Sequence, residues 1–105
     1  MEKPNLNYIQ QISAGDKDFE LSMLTILKDE FPKELYLIKK SFKEENYRKL
    51  SFSIHKIKHK ISMLGMEKSF DLASEIEQEI KNGNLEQYAN LITILERINV
   101  YLNNK

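Results

Sequence analysis

Apolar residues recur through the middle of the chain at alternating steps of four and three positions. They are Leu50, Ile54, Ile57, Ile61 and Leu64. This spacing places them on one side of an α-helix and predicts an amphipathic helix with a single buried stripe. His55 lies one position off the stripe, so we expect its imidazole at the edge of the buried face or on the solvent side.

The same helical spacing appears in three further segments. A long one runs from about Lys17 to Phe42 with a stripe that begins at Phe19, and it keeps its phase across Pro32. This favours one helix kinked at the proline over two separate helices. Two shorter amphipathic segments follow the central helix, one from Phe70 to Ile80 and one from Leu85 to Leu102.

Turn and capping signals separate these segments. Asp16 suits the N-cap of the long helix, and Gly83 suits the left-handed conformation beyond a helix end. Asn84 and Gln87 have the spacing of a capping box for the last helix.

The N-terminus adds little to this pattern. Residues 1–5 are expected to form a loose start, and residues 6–12 a short helix laid on the rest. Four substantial helices with short links, each apolar on one side, pack most simply as an antiparallel bundle. The predicted fold is therefore all-α, an antiparallel four-helix bundle with a short additional N-terminal helix. We expect one domain over residues 1–105, with its core at about residues 8–102.

The composition agrees with a small globular domain. Apolar residues make up 41% and charged residues 30%, and the absence of cysteine excludes disulfides and thiolate chemistry. No apolar run approaches the roughly 20 residues that span a bilayer, and the N-terminus lacks the apolar core of a signal peptide. We expect a cytoplasmic protein with no membrane attachment, and Met1 with the short tails suggests a complete chain.

The charges cancel overall but are unevenly distributed. The net charge is zero, yet residues 46–66 hold five Lys or Arg and no acid, whereas residues 67–79 hold five acids against one Lys. The zero total argues against a nucleic-acid partner. Five cations on one helix can still contact phosphates, so nucleic-acid binding stays open as an alternative.

The basic helix surrounds His55 with groups that suit phosphorus chemistry. An imidazole is a good nucleophile for phosphorus, and a neighbouring ammonium stabilises the charged oxygens of the product. Lys58 follows about one turn later, and Ser51 and Ser62 share the same predicted face. The flanking Lys56 and Lys60 point 100° or more away.

The chain lacks the parts that nucleotide chemistry requires. It has no Gly-rich phosphate loop, no Walker-type lysine and no cluster of metal-binding carboxylates. We therefore expect no autonomous ATP-dependent kinase activity and no resident cofactor or metal. Any phosphoryl group and any Mg²⁺ must come from a partner.

The segment from His55 to Gly65 resembles the signature of histidine-containing phosphotransfer (HPt) domains of bacterial phosphorelays, roughly H-x-[LI]-K-G-x-x-x-x-[LI]-G. His55 falls on the phosphorylated histidine, Lys58 on the lysine beside it and Leu64-Gly65 on the closing pair. Downstream, Ile76-Glu77 falls on the aliphatic-acidic pair of the second motif of the family. The likeness covers nearly the whole chain, from about residue 8 to residue 102.

The resemblance implies a phosphorelay role. His55 would accept a phosphoryl group from a receiver-domain aspartyl phosphate and pass it to another receiver aspartate. Response-regulator receiver domains and hybrid sensor histidine kinases would be the partners, the receiver would hold the Mg²⁺, and the protein would act as a monomer. One position departs from the family pattern, because His59 stands where glycine is usual. Its imidazole could narrow access, donate a hydrogen bond to the phosphoryl group or act as a competing acceptor.

Several residues keep two interpretations. Glu77 could orient the His55 imidazole from the neighbouring helix or be a plain surface carboxylate. Phe52 could belong to the core or, with Ser51, to an exposed surface that docks a partner. Gly65 is interpreted as structural. The i, i+4 pair of His55 and His59 could hold zinc, but two ligands do not make a site and lysines flank the pair.

The main alternative to phosphotransfer is an interaction module. Such a helical bundle would bind a signalling partner without being phosphorylated.

Overall fold

The computed structural model describes residues 2–105, which form five helices and no strand. The helices are α1 (Asn7–Ser13), α2 (Lys17–Lys43), α3 (Tyr47–Met63), α4 (Glu67–Lys81) and α5 (Tyr88–Asn103). Helices α2 to α5 reverse direction through the short links 44–46, 64–66 and 82–87, and α3 packs chiefly on α4 and α2. The predicted all-α bundle with a short additional N-terminal helix is confirmed.

The stripe of α3 forms the centre of the core. Each of its five apolar residues, from Leu50 to Leu64, is 0% exposed. Residues of the other helices close around them, including Phe31 of α2, Ile76 of α4 and Ile98 of α5. Because the side chains of Ile54 and Ile57 are buried in the core, the directions in which the side chains between them leave α3 are fixed relative to the bundle.

Helix α2 runs unbroken through Pro32. This agrees with the prediction of one helix here and excludes the alternative of two separate helices. The side chain of Asp16 caps its start by accepting from the backbone N–H of Phe19 at 3.1 Å. Its first turns, residues 17–26, contain no fully buried residue, although Met23 and Leu24 pack partly against the core. Phe19 and Ile26 are therefore about half exposed, and the predicted stripe is buried only from Leu27 onwards.

The capping box expected for the last helix is wrong. Helix α5 begins at Tyr88, and its N-cap residue Gln87 makes no side-chain cap. The Oδ1 atom of Asn84 accepts instead from the backbone N–H of Glu86 at 2.9 Å, which is a local turn. Gln87 donates to the carboxylate of Glu79 at 3.2 Å. The side chains of Asn84 and Gln87 thus stabilise the link between α4 and α5. Leu85, the expected start of the helix, lies before its first residue.

The loose start expected for residues 1–5 is also wrong for the part that the structure describes. The carboxylate of Glu2 accepts from the backbone N–H groups of Lys68 and Ser69 at 2.9 and 2.7 Å. The backbone N–H of Asn5 donates to the carbonyl of Leu64 at 2.8 Å. We call residues 2–6 the N-terminal strap, because they lie across the turn between α3 and α4 and bind to it.

Gly65 lies beneath this strap. Its φ of +74° belongs to the left-handed region, and a Cβ atom there would lie 2.5 Å from Nδ2 of Asn5. Glycine therefore serves both the backbone turn and the close approach of the strap. Within residues 2–105, every helix is too short or too polar to cross a lipid bilayer.

Candidate functional site

The imidazole of His55 stands on the solvent side of α3, with 55% of its side chain exposed. Its Nδ1 atom lies 3.1 Å from Oε2 and 3.3 Å from Oε1 of Glu77, which projects from α4. An ionised carboxylate only accepts hydrogen bonds, so Nδ1 carries the hydrogen. The second ring nitrogen, Nε2, makes no hydrogen bond to residues 2–105 and keeps its lone pair free.

Glu77 is almost completely buried, with 5% of its side chain exposed. Besides His55, it binds Nζ of Lys58 at 2.9 Å and Nζ of Lys81 at 3.3 Å. Burial alone would raise the pKa of Glu77, but the hydrogen bond and charge of Lys58, followed by Lys81 and His55, outweigh burial and lower that pKa. The interpretation of Glu77 as a plain surface carboxylate is wrong.

Lys58 faces α4 and not the solvent. Only 13% of its side chain is exposed, and its ammonium contacts Glu77, the hydroxyl of Ser74 at 3.3 Å and the ring of Phe70 at 5.6 Å from the centroid. The lysine that follows the histidine by one turn is therefore engaged with the carboxylate that holds the imidazole. Its link to the imidazole is indirect, through the carboxylate of Glu77.

A groove of about 730 Å³ opens beside His55. Three cations line it, Arg48, Lys58 and Lys81, against a single acid, Glu77. Phe52 lies at its edge and is 69% exposed, whereas Ser51 is buried in its wall with a hydroxyl that has no partner among residues 2–105. The groove thus joins a positive charge excess to an exposed aromatic ring.

The other predicted site residues lie apart from this groove. The His59 ring meets the His55 ring edge to face, with centroids 5.4 Å apart. Ser62 is exposed, two turns or about 10 Å along α3 from His55, and does not line the groove. Lys60 points to the opposite side, where it binds Glu30 and Glu34 of α2 at 3.0 and 2.7 Å.

One of the comparisons with known proteins found a match. The family model described as Hpt domain matches residues 22–103. The chain belongs to the Hpt domain family. Members of that family take part in histidine phosphotransfer in phosphorelays. No curated protein and no solved structure matches the chain.

Sequence reasoning missed three residues of the site of this Hpt domain. Lys81 follows Glu77 by one helical turn, so the i, i+4 rule offered a signal for it. Ser74 and Arg48 carried no such signal, because their positions depend on how α3 and α4 pack.

The arrangement in this Hpt domain is suited to nucleophilic chemistry at one nitrogen. A buried anion fixes the tautomer of an exposed imidazole, and the nitrogen that it leaves free is open to solvent and to a partner. Residues 2–105 contain no group of three metal-ligating side chains.

Proposed function

We propose that His55 is the phosphoacceptor of this Hpt domain. It takes a phosphoryl group from an aspartyl phosphate on a receiver domain and passes it to the aspartate of another receiver. The partners are response regulators, hybrid sensor histidine kinases or both, and the receiver contributes the Mg²⁺ and its carboxylate ligands. We expect the chain to act as a cytoplasmic monomer and to be no ATP-dependent kinase.

The observation that carries the proposal is the contact of Nδ1 with Glu77. Because Nδ1 holds the hydrogen, the lone pair of Nε2 can form a bond to phosphorus while the bond between phosphorus and the aspartyl oxygen breaks. The aspartate leaves as a carboxylate, and no proton has to move. The imidazole then carries a positive charge, which the buried carboxylate of Glu77 balances.

The same contact supports transfer in the reverse direction. A phosphorylated ring that keeps its Nδ1 hydrogen is cationic, and a cationic ring leaves phosphorus more readily than a neutral one would. The carboxylate of Glu77 is in turn kept ionised by Lys58. The chain therefore holds the group in a form that a second aspartate can accept, which is what an intermediate of a relay requires.

The groove supports docking of a receiver beside this nitrogen. Its cations Arg48 and Lys81 suit the carboxylates that surround a receiver aspartate, and the exposed ring of Phe52 offers an apolar contact. Ser51 shapes the groove wall. An interaction module that is never phosphorylated would use the same surface, so only a transfer assay distinguishes the two.

The test is transfer of ³²P from phosphorylated receiver domains to wild type, His55→Gln and His59→Gln, scored as acid-labile, base-stable label. Lys56→Gln, which changes an exposed neighbour on α3, is the matched control. We expect label on every chain except His55→Gln. Label that survives in His55→Gln would place the acceptor elsewhere. Receiver binding without label on wild type would support the interaction module instead.

A further inference from the structure

Two of the three lysines that follow His55 on α3, Lys58 and Lys60, are already engaged in other contacts. Lys58 is bound to Glu77 and Ser74, with 13% of its side chain exposed. Lys60 is bound to Glu30 and Glu34 on the far side of the helix and is equally withdrawn. Neither can reach a phosphoryl group on His55 without breaking a buried ion pair, and such pairs are costly to break.

Lys81 is also not placed to contact a phosphoryl group on His55. It binds Oε2 of Glu77, the oxygen that also lies closest to Nδ1 of His55. The ammonium of Lys81 is therefore bound to the carboxylate that holds Nδ1, whereas a phosphoryl group on Nε2 extends from the other nitrogen. Lys56 is exposed but adjacent in sequence to His55, which turns it about 100° around the helix.

Besides the groove residues such as Arg48, His59 is a polar side chain next to the ring. It follows His55 by one turn, is exposed, and its ring meets that of His55 at an interplanar angle of 88° with centroids 5.4 Å apart. Helical side chains lean towards the N-terminus, which brings His59 over the turn that carries His55. Exposed side chains change rotamer on the picosecond to nanosecond scale, so the His59 ring can adjust to a newly attached group.

We propose that His59 is a positioning residue that donates a ring N–H to a phosphoryl oxygen on His55 and prolongs the life of the phosphohistidine. An imidazole offers at least one N–H in either charge state, and hydrogen bonds to ionised oxygens are among the stronger ones. Glycine at this position would offer no such donor. The inference rests on His55 being the phosphoacceptor.

The test uses a small phosphodonor so that it needs no receiver. The full chain is phosphorylated with phosphoramidate, excess donor is removed, and loss of the phosphohistidine signal is followed by ³¹P NMR. Wild type is compared with His59→Ala and His59→Gly, which have no donor, and with His59→Gln, which keeps an N–H donor. Lys56→Ala is the control for an exposed change on the same helix.

We expect the half-life to fall about three- to tenfold in His59→Ala and His59→Gly and to recover largely in His59→Gln, since one solvent-exposed hydrogen bond is lost and restored. The ¹⁵N shifts of the His59 ring should change on phosphorylation of wild type. Equal or longer half-lives in the variants without a donor would overturn the inference.

A different result would show that the proposed function itself, with His55 as the phosphoacceptor, is wrong. If phosphoramidate gives no phosphohistidine on wild type, or gives the same signal on His55→Gln, then His55 is not the acceptor. A signal that survives in His55→Gln and disappears in the double variant with His59→Ala would make His59 a second acceptor and overturn its positioning role.

Discussion

Oε2 of Glu77 and Nδ1 of His55 lie 3.1 Å apart across the interface of α3 and α4. The acid is buried and the histidine is about half exposed, so α3 supplies the proposed phosphoacceptor ring and α4 fixes which ring nitrogen carries the hydrogen. The contact between the two side chains exists only because they project from different helices that pack against each other. The site is therefore a property of how the two helices pack.

The first prediction concerns this pair. Glu77→Gln should slow phosphoryl transfer about 10- to 100-fold, because an amide does not balance the charge of a phosphorylated ring and does not select one tautomer. Glu75→Gln, an exposed change on α4, should leave the rate unchanged. Transfer rates with one receiver and ¹⁵N shifts of the His55 ring check the prediction. An unchanged tautomer with a normal rate in Glu77→Gln would contradict it.

The second prediction concerns acid stability. In the folded chain the pKa of Glu77 is below its ordinary value of 4.5, despite burial, because of Lys58, Lys81 and His55. The unfolded chain therefore binds a proton at higher pH than the folded chain does. This stabilisation is fully present well above pH 4.5 and is lost as the pH falls through the lower, folded pKa.

Urea unfolding at a series of pH values from 7 to 3 measures this loss. In Glu77→Gln the free energy of unfolding should fall less steeply over the acid range, and in Glu75→Gln it should follow wild type. An acid limb of equal slope in wild type and Glu77→Gln would contradict the assignment.

The third prediction concerns the ion pair between Lys60 and Glu34, which lies on the side of α3 away from His55. Lys60→Met should destabilise the fold by about 3–5 kcal/mol, because it leaves the carboxylate of Glu34 buried without its cation. Adding Glu34→Leu should recover most of the loss. Lys56→Met is the exposed control. Urea unfolding measures wild type, Lys60→Met, Glu34→Leu, the double variant and the control, and additive losses in the double variant would contradict the pairing.

The fourth prediction compares two glycines. Gly65 and Gly83 have φ values of +74° and +85°, but only at Gly65 would a Cβ meet another residue, the side chain of Asn5. Gly83→Ala should cost about 1–2 kcal/mol for backbone strain alone, and Gly65→Ala should cost more. Asn5→Gly should bring the cost at Gly65 towards that at Gly83. Equal losses of unfolding free energy in Gly65→Ala and Gly83→Ala would show that the close approach of Asn5 to Gly65 adds nothing to the cost.

The fold was predictable from sequence because it depends on periodicity. The α3 stripe and the helix that continues through Pro32 follow from local spacing, and both are present in the structure. The position of His55 at the edge of that stripe followed from the same pattern. What periodicity does not contain is which residues of neighbouring helices meet.

Two of the misses depend on contacts between distant segments. The engagement of Lys58 with Glu77 needs the register of α3 against α4, and the capping of α4 by Glu2 joins residues far apart in sequence. The error at Asn84 has a local cause, because one side chain can satisfy either a turn or a helix cap and both are made from the same residue types.

The strap and α1 lie ahead of residue 22, where the family match begins. Glu2 supplies two hydrogen bonds to the start of α4, and Ile9 of α1 is 0% exposed in the core. A chain trimmed to the matched segment would open a hole in the interior and free the amides of Lys68 and Ser69. The packed structure of this chain therefore begins closer to the N-terminus than the segment that the family model matches.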